Sequence, residues 1–421
     1  MATRNKIGIS NIMNNNYREY ALHILQSRGI PNYYDFLTNV QRFSIESATK
    51  QYRSTLSVIG RTRELGYHHG DQSVDGAIEK MTREFNTGQN ILEGDGFFGN
   101  HITPESAAPR YTSVRISEQI DNILAKYRNL NNKNDENFYD YFYTDIPIGL
   151  LLGATGVAIG FSCKILPRSL KDIQNFLKGN IKTLKPYFNG YNGKITRLSD
   201  VQWKFEPTIT NEKNIIIIKD VPPLISHEKF LEKLKKFTEE KSVDVLSLGK
   251  KDIQYKLTFR GNVNIESIKD SLNSLFSTTY TELILLIKDK VALEYNKIED
   301  YLEDFKTHVE LCKLKQFQYE IEQHKFEKSY NEAKLEYLMF MYGNKRKNEE
   351  ILDFYKKYDK KIVDRLDVIK MRNLTLEEIQ KTKDDIKNEN NIIKELIQLE
   401  KQQSVTYNKF LQKETLFNKI L

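Results

Sequence analysis

An arginine and a tyrosine stand side by side at Arg110-Tyr111, and two histidines at His68-His69. A phenol next to a guanidinium can carry out phosphoryl transfer. The phenolate attacks phosphorus, and the planar Arg fork matches two of the equatorial oxygens on which charge develops. An imidazole can move the proton or donate a hydrogen bond to phosphate. Each residue also has a plainer reading. Tyr111 is one of 24 tyrosines, and a half-buried packing ring is the usual fate of a tyrosine. Tandem histidines can cap a turn, and Arg110 can be a surface cation. The glycine-rich stretch Gly94–Gly99 is followed by no Lys-Ser/Thr pair, so it reads as a tight turn and not as a phosphate cradle. No Asp-x-Asp cluster offers a site for a divalent ion, and the two cysteines, Cys163 and Cys312, have neither disulfide nor zinc spacing.

These residues need elements to hold them. Val74, Ala77, Ile78, Met81 and Phe85 recur at helical spacing and predict an amphipathic helix from about Asp71 to Phe85. A shorter apolar stretch, Leu56 to Leu65, precedes it, and Gly66-Tyr67 separates the two. Helix, glycine-containing turn, helix is the helix-turn-helix pattern, although it is common by chance. Tyr111 to Ile116 alternates like a short strand. In the middle of the chain, Ile215–Ile218 and Tyr255–Phe259 read as strands and Glu228–Thr238 as a helix, which suggests an α+β domain without catalytic spacing.

Proline divides the chain: all nine lie at or before Pro223, and after Gly261 the only glycine is Gly343. Long helices are the economical explanation for such a breaker-free C-terminal third. Ile298, Leu302, Phe305, Val309 and Cys312 begin a heptad seam that continues through Gln316, Tyr319, Gln323, Phe326, Tyr330, Ala333, Tyr337 and Phe340. A second helical stretch runs from about Leu376 to Leu399. The pair predicts an antiparallel coiled-coil arm with a small lobe at its tip, or else an ordinary helical bundle.

The bulk numbers set limits. A chain of 421 residues accommodates two to four domains at roughly 100–200 residues each. With 29% charged residues and a mean hydropathy of −0.58, it belongs to the soluble class. A formal charge of +7 and a pI near 8.9 favour a polyanionic partner without requiring one. The opening residues carry no secretory signal. The most apolar run, Ile146–Cys163, holds Pro147 and four glycines, so a buried turn-rich segment is the better reading than a membrane span.

Several segments, in order, resemble the DNA-gate subunit of type IIA DNA topoisomerases, the family of gyrase A and ParC. They are Arg28-Gly-Ile-Pro31, Val40-Gln41-Arg42, Gly66-Tyr-His-His-Gly-Asp71, Gly94–Gly99, Ala107-Ala-Pro-Arg-Tyr-Thr112, Ile146-Pro147 with Gly153–Gly160, and Leu366–Leu374. Any one is weak, and seven in order cover most of the chain. The His-His turn without an intervening proline looks most similar to the phage branch of the family, whose medium subunits are short. The sequence departs from the family pattern at Thr38 and Phe43, where cations are usual, and at Val157, where isoleucine is usual.

The resemblance implies a multidomain α+β fold. Residues 1–16 would be an N-terminal arm, 17–145 a winged-helix DNA-gate domain with the catalytic tyrosine, 146–290 an α/β tower or shoulder domain, and 291–421 a coiled-coil arm with a C-gate lobe. It implies catalytic roles for Tyr111, Arg110, Arg28 and His69, DNA contacts at Gln41, Arg42 and His68, and a base-step wedge at Val157. It implies a two-fold dimer contact at Leu366, Ile369 and Leu374. Mg²⁺ and ATP would be held by a partner subunit carrying the Toprim and ATPase modules, and no metal site is expected on this chain. The partners would be double-stranded DNA, a second copy of the chain and that large subunit, without a membrane, in the cytoplasm (of the host, if the source is viral). A chain ending soon after the second arm helix leaves no room for a DNA-wrapping domain, so relaxation and decatenation are expected, not negative supercoiling. Gln72 and Gly76 stand where quinolone-sensitive members carry Ser and an acidic residue, so weak quinolone poisoning is expected. The rival reading from another class is a DNA-binding coiled-coil scaffold without catalysis, for which the Arg110-Tyr111 pair has no use.

Overall fold

The computed structural model describes residues 29–131, 138–158, 160–223, 225–239, 243–261, 263–342, 346–369 and 375–417. Arg28, Leu374 and the expected N-terminal arm lie outside these residues. The chain divides into two compact units, Met1–His308 and Val309–Leu421. The first is a mixture of helices and small antiparallel sheets; the second is helical.

The described part of the first unit opens with three helices, α1 (Asn39–Ser47), α2 (Thr55–Glu64) and α3 (Asp71–Thr82). Each start has a local cause. Gln41 Oε1 accepts from the Thr38 amide at 2.9 Å and the Thr38 hydroxyl at 3.0 Å. Ser54 Oγ accepts from the Ser57 amide at 3.2 Å, an N-cap. Gly66, at φ +106°, ends α2 in a conformation that favours glycine. Val74, Ile78 and Met81 are fully buried, as the helical spacing predicts. The helix stops at Thr82, three residues short of the expected Phe85. Arg83 is extended at ψ 136°, and from there the chain runs on to a buried Phe85. A three-stranded antiparallel sheet follows, in the order β1 (Arg53–Ser54), β3 (Ser113–Ile116), β2 (Leu92–Asp95). The alternation expected from Tyr111 therefore begins two residues later, because Pro109–Tyr111 is a 3-10 turn.

The apolar run Ile146–Cys163 is a buried 3-10 turn, Ile148–Leu151, followed by a hairpin of β4 (Ala154–Ala158) and β5 (Phe161–Ile165). Gly149 is needed because a Cβ there would lie 1.8 Å from the Phe36 carbonyl oxygen. No helix among the described residues is long and apolar enough to cross a membrane.

Beyond the hairpin, β6 (Lys194–Arg197), β7 (Gln202–Glu206) and β12 (Thr278–Thr281) form one sheet. Four more strands, β8 (Thr208–Glu212), β9 (Ile215–Lys219), β10 (Val243–Ser247) and β11 (Tyr255–Phe259), form another in the order β10-β11-β9-β8. Phe230 and Leu234 of helix His227–Thr238 and Leu272 and Phe276 of helix Ile265–Phe276 pack on Ile216, Ile218 and Leu257 of that sheet. A buried ion pair joins the segments around the first sheet. Glu282 takes Arg168 at 2.8 Å and the Trp203 indole N–H at 2.9 Å, and all three side chains are buried. Such a pair holds its geometry at little net gain in stability, because desolvation offsets most of the attraction.

The heptad reading corresponds to one helix, Ile298–Met341, whose first turns bury Ile298, Leu302 and Phe305. In the second unit the buried positions drift from Cys312 to Leu314 and Ile321, while Gln323 is exposed, and return at Ala333 and Tyr337. A straight helix at 3.6 residues per turn falls out of step with a seven-residue repeat. The last helix, Leu376–Phe417, runs antiparallel to it. Gln403 bonds Glu310, Gln318 bonds Glu400, His324 bonds Glu389 and Lys334 bonds Glu378. Helices Asn348–Tyr355 and Lys360–Asp367 close the far end around a core of Ala333, Tyr337, Met341, Phe354, Ile362 and Leu366.

Candidate functional site

Tyr111 sits at the end of the Pro109–Tyr111 turn with its amide bonded to the Ala108 carbonyl at 2.8 Å. The residue is 71% exposed, an unusual position for a large aromatic. The backbone on either side is fixed. Thr112 is buried; its carbonyl accepts from the Thr55 amide at 2.9 Å, and its hydroxyl lies 2.8 Å from that of Thr55 at the head of α2. The phenol thus projects from a rigid seam between β3 and α2. The Arg110 guanidinium carbon lies 5.3 Å from the Tyr111 ring centroid. No carboxylate among the described residues pairs with Arg110, so its five N–H donors stay available for an anion beside the phenol.

His68 is exposed and His69 half-buried in the turn before α3. The His69 ring meets Tyr67 edge-on at 5.0 Å, and the Tyr67 hydroxyl lies 3.0 Å from Ser73 Oγ, which ties the turn to the helix.

Two expected DNA contacts are elsewhere. Arg42 is 1% exposed, with Nε 2.8 Å from Asp35 Oδ2, one terminal nitrogen 3.2 Å from Oδ1 and the other 2.8 Å from Asn39 Oδ1. Gln41 is buried and caps α1. Neither side chain reaches a surface in this conformation. Exposed cations in this region include Arg53, next to Tyr52 in the chain, and Arg63, 3.5 Å from Asp71; Arg115 lies 4.7 Å over the Tyr52 ring and is bonded to Glu93 at 2.6 Å. Sequence reasoning passed over Tyr52, Arg53, Arg63 and Arg115. The signal available was their position: Tyr52 and Arg53 lie just before the first helix of the helix-turn-helix pattern, Arg63 lies in its last turn, and Arg115 alternates with Val114 and Ile116.

Val157 is 80% exposed near the tip of the β4–β5 hairpin, with Phe161 beside it at 43%. The hairpin rests on the segment that follows Arg28. A Cβ on Gly156 would lie 1.7 Å from the Gly29 carbonyl oxygen, so only glycine permits this approach. That segment is itself bonded to strand Ile284–Lys288, through Ile287 N–H to the Pro31 carbonyl at 3.0 Å and Tyr33 N–H to the Ile287 carbonyl at 2.8 Å. Cys163, on β5 opposite Gly156, is fully buried, and burial pushes its thiol up to about 11. A thiol so rarely ionised is a packing group.

In the second unit, Leu366 is fully buried within the lobe's own core and Ile369 packs at its edge. Leu366 cannot meet a second copy unless the lobe opens. Val368, between them, is 74% exposed, and Leu352 is 61% exposed. Among the described residues, no three His, Cys, Asp or Glu side chains come together to hold a metal ion. Glu93, the carboxylate two residues before Asp95 on β2, is already engaged by Arg115.

Comparison with known proteins shows the family and the fold. The family model for the A subunit of DNA gyrase/topoisomerase IV matches residues 28–415. The DNA topoisomerase medium subunit of Enterobacteria phage T4 is 25% identical over 335 residues, which cover 73% of this chain and 75% of that protein. The A subunit of DNA gyrase from Haemophilus influenzae is 26% identical over 354 residues, covering 72% of this chain and 39% of the gyrase protein. The chain thus spans little more than a third of that relative. The Plasmodium falciparum topoisomerase II DNA-binding, cleavage and re-ligation domain superposes with a TM-score of 0.79 at 19% identity, over 97% of this chain and 65% of that one.

Proposed function

The chain belongs to the A-subunit family of DNA gyrase and topoisomerase IV, and from that premise we propose that it is the DNA breakage-and-rejoining subunit of a type II topoisomerase, with Tyr111 as its nucleophile. The observation that carries the reading is a largely exposed phenol on a rigid turn, with the Arg110 guanidinium against it and a helix-turn-helix alongside. A packing tyrosine has no reason to stand out in solvent from so constrained a backbone.

In the reaction, the Tyr111 hydroxyl oxygen attacks a backbone phosphorus. A phosphotyrosyl bond forms and the bond to the leaving deoxyribose oxygen breaks. The phenol proton passes to His69 or through water, and the leaving oxygen is protonated in turn. The reverse attack reseals the strand without a separate energy source. Free phenol ionises near pH 10, so the site must favour the phenolate and the charge on phosphorus. Arg110 supplies this beside the ring, and Arg28, which lies outside the described residues, is assigned the same task. Family membership implies Mg²⁺ and ATP, both assigned to a Toprim/ATPase partner subunit. The described residues do not themselves fit a metal site. With one such tyrosine per chain, cutting both strands takes two copies.

In this reading α2, α3 and the β1-β3-β2 sheet are a winged helix, with His68, Arg53 and Arg63 on the DNA. Residues 146–290 are the tower and shoulder, and the long helix pair is a coiled-coil arm ending in a C-gate lobe. Val157 enters the duplex as a wedge, unstacking one base step and bending the helix. Val157→Ala removes two methyl groups, at about 0.8 kcal/mol for each buried CH₂ equivalent, so the bent population should fall roughly tenfold. Because the side chain is exposed, stability should change by no more than about 0.5 kcal/mol. Fluorescence transfer across an end-labelled duplex measures the bend; an unchanged bend removes the wedge role.

The lobe yields a second expectation. Leu366→Ala should destabilise the lobe by about 2–5 kcal/mol, as for other buried leucines. Val368→Asp should leave the fold intact and dissociate a two-fold dimer. Calorimetry and sedimentation velocity separate these outcomes, and a dimer that survives Val368→Asp places the contact elsewhere. The reading as a whole is tested by digesting a denaturant-trapped protein–DNA complex and sequencing the peptide that carries the nucleotide, which should contain Tyr111.

A further inference from the structure

We propose that Glu79, on α3, is a positioning residue for Tyr111 and acts through Ser106. The inference rests on the reading of Tyr111 as the nucleophile. Residues 96–108 form a loop that is closed on itself. The Ala107 amide bonds the Phe97 carbonyl at 2.9 Å, and the Asn100 side chain accepts from the amides of Ile102 and Thr103 at 2.9 and 2.8 Å. Its far side meets the β10–β11 connection. The His101 amide bonds the Lys251 carbonyl at 3.1 Å and its Nδ1 lies 3.0 Å from Asp252 Oδ1. On the α3 side, the Ser106 hydroxyl donates to Glu79 Oε1 at 2.5 Å. The same oxygen accepts from Arg83, one turn further on, which holds the carboxylate in place. Glu79 is 25% exposed at the side chain, sheltered enough for that bond to compete with water.

Between Ser106 and the nucleophile there is little slack. Ala107 is tied to Phe97, Pro109 fixes its own φ, and the turn closes with the Tyr111 amide on the Ala108 carbonyl. Where α3 holds Ser106 therefore sets where the phenol stands. α3 belongs to the winged helix proposed to bind DNA, so Glu79 links the seating of that helix to the placement of the attacking oxygen. A misplacement of about 1 Å can cost a factor on the order of a hundred in rate.

The test uses the complex purified through a tag on the full chain, with a linear duplex and Mg²⁺, and trapping of adducts by denaturant. Glu79→Ala and Ser106→Ala should each slow adduct formation by roughly tenfold to a hundredfold, with duplex affinity within about twofold of wild type. The double variant should be no slower than the slower single variant, and Ser106→Thr should restore the rate. Hydrogen exchange in the full chain without DNA should quicken across residues 97–112 in Glu79→Ala. Unchanged adduct rates in both single variants overturn the inference, as do rates that fall only in step with affinity and melting temperature. If the wild-type complex joins DNA through another residue, the reading of Tyr111 fails instead. The exchange experiment then still decides whether Glu79 holds the loop, and unchanged exchange rules it out.

Discussion

Tyr111→Phe is expected to abolish every covalent protein–DNA adduct while leaving the folded chain and its grip on DNA almost untouched. The change removes one oxygen. Because the residue is 71% exposed and its hydroxyl makes no hydrogen bond among the described residues, stability should shift by no more than about 0.5 kcal/mol. The cation–π contact with Arg110 needs only the ring face and survives in phenylalanine. Duplex affinity, carried mainly by phosphate contacts, should stay within about twofold. What disappears is the nucleophile, for which water is no replacement when the product must remain attached to protein. The measurement is gel separation of labelled duplex after denaturant and protease, beside anisotropy on the same DNA. Adducts from the Phe variant would remove Tyr111 from the mechanism, whereas intact affinity with no adduct from the wild type would favour a non-catalytic scaffold.

Arg42→Ala is expected to unfold the region around α1, with a loss of about 3–5 kcal/mol, the cost of stranding a buried carboxylate. Asp35 is fully buried and is bonded by two Arg42 nitrogens, by the Leu37 amide at 2.9 Å and by the Phe142 amide at 2.9 Å. Removing the guanidinium leaves a charge that two amides alone do not compensate. Had Arg42 lain on a phosphate, the outcome would be different: unchanged stability, weaker binding on all sequences, and a salt slope reduced by about one. Urea unfolding and the salt dependence of duplex binding, measured on the same variant, separate the two. Asp35→Ala with Arg42→Ala should recover part of the loss, since the pair then leaves no lone charge. A stable Arg42→Ala chain with a shallower salt slope would return this residue to the DNA surface.

The helices were legible because their causes are local. The spacing of Val74, Ile78 and Met81, the glycine at 66 and the absence of prolines after Pro223 act within a few turns of the chain, and the structure follows them closely. The 3-10 turn that carries Tyr111 was less legible. A strand-like alternation runs through it, and Pro109 was the cue that the strand begins later. The lobe shows the same limit: a leucine in an apolar run reads equally well as core or as interface, and the packing of Phe354, Ile362 and Tyr337 around Leu366 made it core.

The sequence by itself determined which groups are present to do chemistry: one Arg-Tyr pair, one His pair, no Asp-x-Asp cluster, and the elements that bracket them. Only the tertiary structure decided which of those groups face solvent. Arg42 and Arg110 are the same residue type, each followed by an aromatic residue in the chain. Asp35, itself held by the distant Phe142 amide, takes the first inward, while the seam between Thr55 and Thr112 turns the second out beside Tyr111. Val157 is likewise an ordinary β-branched residue until the hairpin lifts it into solvent over Gly29. Exposure depends on long-range pairing, which local spacing does not encode, and availability of a charge or an apolar tip to DNA depends on exposure.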